Sequence, residues 1–271
     1  MRTIKPYVAV LRLRLLNGMQ YRAAALAGVA TQFFWGFIYI MIFQAFYMQT
    51  MGEQPISLEE LVTYLWLQQS FLAFIMLWFR DNELFDLITT GNIAYELCRP
   101  IGIYEYWFSK LLAQRLASAL LRCFPILLLA FLLPPAYRLM LPPDLKTFLL
   151  FCISLLLGLF VLVSISMFIY ISVFITLSPM GSLLVFGVVG EFFAGMVIPI
   201  PLMPEWLQQI VYLLPFRLTA DFPFRVYSGN IPNTEAVEGI IIQLIWLAAL
   251  VFLGKMALHK AMKKSLYKEG K

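Results

Sequence analysis

Residues 147–190 read TFLLFCISLLLGLFVLVSISMFIYISVFITLSPMGSLLVFGVVG, and not one Asp, Glu, Lys or Arg interrupts them. A hydrocarbon layer about 30 Å thick takes about 20 apolar helical residues to cross, so this run holds at least one crossing. Residues 23–52 form a second charge-free run, with the same consequence. The whole chain agrees. Of its 271 residues 62% are hydrophobic and 13% charged, where a soluble domain carries roughly 25% charged. The charge that remains collects at the two ends and in one central block. These features predict an all-α integral membrane protein and exclude a soluble enzyme.

Six transmembrane helices are expected: Ala23–Tyr47, Leu61–Phe79, Leu112–Leu133, Phe148–Ile175, Ser182–Ile198 and Gly239–Leu258. No internal repeat is visible, so residues 1–271 read as one transmembrane domain. Charge sets the orientation. Residues 1–22 carry five cations (Arg2, Lys5, Arg12, Arg14, Arg22) and residues 80–115 carry four (Arg80, Arg99, Lys110, Arg115). The tail carries six (Lys255, Lys260, Lys263, Lys264, Lys268, Lys271). Against these fifteen, the other side holds Arg138, Lys146, Arg217 and Arg225. Cytoplasmic loops are the Lys/Arg-rich ones, so both termini are expected inside. The N-terminus lacks a small-residue cleavage site and is no secretory signal. Within residues 1–22, Tyr7, Leu11, Leu15 and Met19 recur every four residues, which predicts a helix lying on the inner membrane surface.

The net charge of +5 is explained by this asymmetry and not by nucleic acid, because no basic, aromatic face remains outside the spans. Cys98, Cys123 and Cys152 have no Cys-x-x-Cys spacing and support neither disulfides nor zinc. The one histidine, His259, lies in the basic tail.

Between the second and third spans, residues 80–91 read RDNELFDLITTG. Asp81 suits an N-cap, Glu83 and Asp86 bring negative charge to the first turns, and Gly91 suits the stop. A helix of two to three turns follows, presenting Leu84, Phe85, Leu87 and Ile88. Either it floats among lipid headgroups or it docks on a cytoplasmic partner. The aromatic residues Tyr104, Tyr106, Trp107 and Phe108 then suggest an interfacial stretch within the 80–110 segment.

The pattern Gly91-x-Ile93-x-x-x-Leu97-x-Arg99-Pro100, directly after the second span, resembles the permeases of type-2 ATP-binding-cassette exporters. The likeness is to the small six-span bacterial branch. It implies a cytoplasmic N-terminal helix, six spans, and a coupling helix over Asn82–Thr90 seated on the ATPase. It also implies Glu83, Leu84, Phe85, Asp86, Leu87, Gly91, Arg99 and Pro100 as coupling residues. The expected partners are an ATPase dimer, a second permease chain, identical or paralogous, and membrane lipid. ATP and Mg would be bound by that ATPase, with no cofactor on this chain, in a bacterial plasma membrane.

Six prolines fall between Pro199 and Pro232, and proline ends helices, so the fifth span breaks near Pro199. Residues 203–215, MPEWLQQIVYLLP, form a helix too short to cross. Within the outer segment 199–236 it is either an interfacial anchor or, as the resemblance implies, a re-entrant element above the substrate path. Inside the spans, Glu191 sits near the bilayer centre, where an ionisable group normally faces a cavity or a partner. Arg122, before Pro125, is one candidate partner, unless it reaches back toward the inner surface. Gln32, Gln68 and Gln69 are further candidates for an interface or pathway. Gly187, Gly190 and Gly195 suggest close helix packing.

No Gly-x-x-x-x-Gly-Lys-Ser/Thr loop, His-Glu-x-x-His helix or Gly-x-Ser-x-Gly elbow occurs. The chain is therefore expected to be a transport subunit whose ATP is hydrolysed elsewhere, moving an amphipathic or hydrophobic substrate outward by alternating access. An ion-gradient-driven carrier is the competing reading, though it would show broken helices in both halves.

Overall fold

The computed structural model describes residues 5–20, 22–49, 52, 54–98 and 100–269, and of residues 22–24 and 264–269 the backbone alone. Arg99 lies outside the described residues, as do Arg2 and Lys271 of the charge count and the side chains of Arg22, Lys264 and Lys268.

The described chain contains helices and no strand. In order these are α1 (Lys5–Gly18), α2 (Arg22–Gln49), α3 (Leu58–Ser70), α4 (Leu72–Ile75), α5 (Asn82–Thr89) and α6 (Ile93–Leu97). There follow α7 (Ile103–Phe131), α8 (Leu145–Thr176), α9 (Pro179–Phe193), α10 (Glu205–Leu213), α11 (Asp221–Ser228) and α12 (Asn233–Glu269). Four of them, α2, α7, α8 and α12, are long and apolar enough to cross a membrane. They correspond to the expected first, third, fourth and sixth spans. The helix α7 starts at Ile103, not near Leu112, because the aromatic stretch folds into the protein: Trp107 is fully buried and stacks on Phe174.

The charge-free run forms the centre. A helix apolar on every side belongs inside a bundle, and α8 packs against α5, α7, α9, α11 and α12. Its serines turn back onto its own carbonyls, as Ser164 does on Phe160. It ends at Leu177 in a left-handed conformation (φ 51°), and Ser178 then caps α9 with Pro179 in the first turn.

The second span departs from the expected single helix over Leu61–Phe79. A capping box starts α3, with Ser57 Oγ accepting from Glu60 N and Glu60 accepting from Ser57 N. The helix breaks at Phe71, resumes as α4 and unwinds at Met76. Nothing in the sequence FLAFIMLWF marks this unwinding; its partner is distant. Arg115 of α7, buried to 1% exposure, donates to the carbonyls of Ala73 (3.2 Å), Met76 (2.7 Å) and Phe79 (3.3 Å). Freed carbonyls in an apolar interior need such donors. Arg115 is thus a buried clamp and not a surface charge of the cytoplasmic side.

The fifth span is also shorter than expected. At 15 residues α9 is about 22 Å long, and it ends before Gly195, whose φ of +80° suits glycine. The glycines do mark close packing. A Cβ on Gly187 would meet Trp78, and one on Gly190 would meet Leu77.

The stripe Tyr7, Leu11, Leu15 of α1 is half-buried and α1 packs along α7, while Val8, Leu13 and Leu16 of the opposite face stay exposed. Tyr7, Leu11 and Leu15 thus mark the face turned to the protein, whereas Met19 of the same repeat is exposed.

At the other end of the bundle, the turn after α10 enters the helices. Leu218 O lies 2.9 Å from where a Cβ of Gly158 would stand, and Gln243 Nε2 donates to both Leu218 O and Ser154 O at 2.9 Å. Gly158 is 13 residues into α8, about 20 Å along its axis. The 216–219 turn is therefore packed deep against α8, while α10 before it buries only Val211 and leaves Trp206 and Leu213 exposed. Asp221 at the base of the turn is fully buried 3.6 Å from Arg225, whose guanidinium also reaches Tyr212 and Asn230.

Candidate functional site

Two constellations stand out, one at the α5 end and one within the helices. At the α5 end, Asp81 Oδ1 accepts from the amides of Glu83 (2.9 Å) and Leu84 (3.4 Å), starting α5 as a capped helix. Tyr170 of α8 fixes this start twice over. Its hydroxyl accepts from Asp81 N (2.8 Å), and its ring lies 4.5 Å from that of Phe85. Glu83 then straps three helices together. It accepts from Lys110 Nζ of α7 at 2.9 Å and from the Arg14 guanidinium of α1. Partial burial pushes the Glu83 carboxyl up, but the hydrogen bonds and charges of Arg14 and Lys110 outweigh it and hold it below its ordinary range.

With Leu84, Phe85 and Ile88 buried against the bundle, the face α5 turns outward is polar: Asn82, Asp86, Thr89 and Thr90. Gly91, at φ +77°, turns the chain into α6. There Glu96 is buried under the Trp107 indole (2.5 Å) while Tyr95 stands 75% exposed. The stub is thus held to the bundle by its apolar face and presents a polar, aromatic outer face.

The second constellation is a cavity of about 340 Å³ between α2, α3–α4 and α9, lined in part by Gln32, Gln68, Gln69 and Glu191. Glu191 is 12 residues into α9, about 18 Å along it, and the cavity opens beside the half-exposed Trp35 and Val197. Gln68 Nε2 donates to Met196 O at 2.7 Å. Oε1 of Gln32 and Oε1 of Glu191 have no hydrogen-bond partner.

The sequence pattern of ABC-2 family transporter proteins matches residues 29–267, nearly the whole chain. The chain belongs to the ABC-2 transporter family. No curated protein matches it. As a family member it is the membrane-spanning permease of an ABC transporter, a multi-pass transport subunit whose family works with an ATP-binding-cassette ATPase.

Within the permease, the sequence-derived residues fall into three groups. Glu83, Leu84, Phe85, Asp86, Leu87, Gly91 and Pro100 all lie at the α5 end, but Leu84 and Phe85 face inward and hold the helix to the bundle. Of these, Asp86 and Pro100 are freely exposed, Leu87 is half-buried, and Glu83 is engaged by its two cations. Gln32, Gln68, Gln69 and Glu191 share one cavity, which their scattered positions in the sequence do not reveal.

Arg122 is separate. No ion pair joins it to Glu191. The Arg122 guanidinium lies against Gly28 of α2 and lines a different cavity of about 550 Å³, shared with Arg14 and Asp81 near α5. Trp78 supplies the hydrogen bond to Glu191. Arg122 instead shares its cavity with residues of the α5 end. Sequence reasoning did not find Arg14, Lys110, Arg115 and Tyr170 as supports of α5. The signal available was three cations, Arg14, Lys110 and Arg115, inside helices near a carboxylate-rich stub.

Proposed function

We propose that the permease is half of the membrane unit of an exporter, driven by an ATPase that seats on the outward face of α5 and α6. The α5 end then faces the cytoplasm, with both termini on that side, in a bacterial plasma membrane. Removing the buried Arg115 and Lys110 from the count leaves thirteen cations against four, so the charge asymmetry still supports this orientation. A second permease chain, identical or paralogous, packs alongside, and closure of two ATPases moves both α5 stubs. The stroke passes through Glu83 to α1 and α7, and through Tyr170 to α8. An amphipathic or hydrophobic substrate is moved outward by alternating access beneath the re-entrant 216–219 turn. Family membership weighs against an ion-driven carrier, even though the second span is interrupted between α3 and α4 and α9 stops short.

The observation that carries this reading is the α5 stub itself, tied to three helices by Glu83 and Tyr170 while leaving Asp86 and Tyr95 free. The experiment is co-purification with the cognate ATPase and assay of ATP hydrolysis by the complex. Charge reversal at Asp86 with truncation of Tyr95 (D86K/Y95A) should release the ATPase and lower coupled hydrolysis about tenfold or more, as removal of an exposed aromatic anchor does at interfaces. Both side chains are exposed, so the variant should melt like the parent. Undiminished co-purification and hydrolysis would refute the docking face.

A further inference from the structure

We propose that the cavity between α2, α3–α4 and α9 receives a cationic group of the alkylammonium class, carried by an apolar body, with Glu191 as its counter-charge. This rests on the permease reading and adds to it the charge of the transported molecule.

The argument starts from what the cavity lacks. A carboxylate inside a membrane helix is costly and is retained where a partner or a cavity meets it. Among the described residues no Lys, Arg or His pairs with Glu191; its hydrogen bond comes from the neutral Trp78 indole. The nearby cations are committed elsewhere. Arg115 is occupied by three carbonyls and Ser166, and Arg122 opens into the other cavity.

Unmet acceptors face the same space. Glu191 Oε1 has no donor, and neither has Oε1 of Gln32, a side chain 95% buried as judged by its 5% exposure. The amide nitrogen of Gln68 turns one of its two hydrogens to Met196 O at 2.7 Å and makes no bond to either oxygen. Buried acceptors without donors are expensive, and a ligand bringing positive charge or N–H groups meets that deficit. An anion would meet the carboxylate instead. A neutral apolar ligand would leave both acceptors unmet.

The walls suit the same ligand. Trp35 and Tyr39, one helical turn apart with ring centroids 6.1 Å from each other, line the cavity, and Trp35 is half exposed. Aromatic faces beside a carboxylate attract ammonium groups. A volume of about 340 Å³ lies at the small end of ligand pockets. It accommodates a charged head with a ring or short chain attached, leaving a longer apolar body along the helices. A metal ion is a poorer fit, since no group of three or more His, Cys, Asp or Glu side chains gathers among the described residues.

The test uses the purified full chain in lipid nanodiscs with two probes of equal shape, benzyltrimethylammonium and its uncharged carbon counterpart neopentylbenzene. Binding is read by calorimetry. The cation should bind, the hydrocarbon should bind at least about tenfold more weakly, and Glu191→Gln should weaken the cation about tenfold or more. Trp35→Leu should weaken it several-fold with the carboxylate still in place, which keeps the proposal testable if Glu191→Gln fails to fold. Glu205→Gln, on the exposed α10, should change nothing. No binding of benzyltrimethylammonium, equal binding of the two probes, or parental affinity in Glu191→Gln would overturn the proposal. ATPase docking at α5 without cation binding sinks this inference alone. Cation binding without ATPase docking upholds the site and removes the pump.

Discussion

Arg115 Nη1 donates to the carbonyl of Met76 at 2.7 Å, at the point where α4 gives way to extended chain. Two further carbonyls, of Ala73 and Phe79, complete the set, and Ser166 of α8 accepts from the other guanidinium nitrogen at 3.1 Å. One buried cation from α7 therefore replaces the helical donors that the second span gives up when it unwinds. The same stretch leads directly into α5. Arg115 is thus a positioning residue, joining α7 and α8 to the stretch that leads into α5.

Replacing Arg115 with Met should lower both stability and coupling. Each buried carbonyl left without a donor costs about 1–3 kcal/mol, partly offset by removal of a buried charge. A net loss of a few kcal/mol should appear as a fall of several degrees in the melting midpoint in detergent. Arg115→Lys should recover little, because an ammonium is a point charge and cannot fork to three separated oxygens. If Arg115→Lys melted and coupled like the parent, the guanidinium geometry would be irrelevant and the clamp reading wrong.

Glu83 gives a pH signature. Its folded pKa is depressed by Arg14 and Lys110 below the ordinary 4.5, so its contribution is fully present above that value. It is lost as pH falls through the folded pKa. The side chain is about half exposed, and solvent screening limits the contribution to roughly 1 kcal/mol or less. The stability gap between the parent and Glu83→Gln should therefore shrink as pH is lowered from about 6 to about 4. A gap that widens over this range would contradict the strap.

What the sequence makes legible, and what it hides, follows from the range of the interactions. Charge-free runs announce α2 and α8 because crossing a membrane is a local requirement on about 20 consecutive residues. Asp81 announces α5 because capping reaches only two or three residues ahead. The unwinding after Ile75 has no local signal; it depends on Arg115, some 40 residues away in the chain. The same limit hides the cavity. Gln32, Gln68 and Glu191 are each visible as polar groups in apolar helices, but only packing brings them together and sends Arg122 elsewhere. The inward turn of Phe85 was equally invisible, since an apolar residue on a short amphipathic helix suits a partner or a core alike.

Gly195→Ala should destabilise the permease more than Gly190→Ala. At Gly195 the backbone has φ +80°, which costs an L-residue about 1–2 kcal/mol. A Cβ there would also stand 2.8 Å from the Tyr64 hydroxyl, which donates to Gly195 O. At Gly190 the added methyl meets the end of the Leu77 side chain, which can rotate. Melting midpoints of the two variants decide the order, and the reverse order would mean that helix packing, not the break in α9, is the tighter constraint.

Orientation can be read from the native cysteines. Cys98 is exposed beyond α6, Cys123 is buried within α7, and Cys152 lies on the apolar surface of α8, seven residues from its start. A charged maleimide that does not cross membranes should reach Cys98 alone, because the thiolate must be met in water and Cys152 lines an apolar cavity. With the α5 end inside, inverted vesicles should be labelled and intact cells should not, and Cys98→Ser should abolish the signal. Labelling of Cys98 in intact cells would put α5 on the outer side, out of reach of any cytoplasmic ATPase. The charge asymmetry, the docking face and the exporter would then fall together.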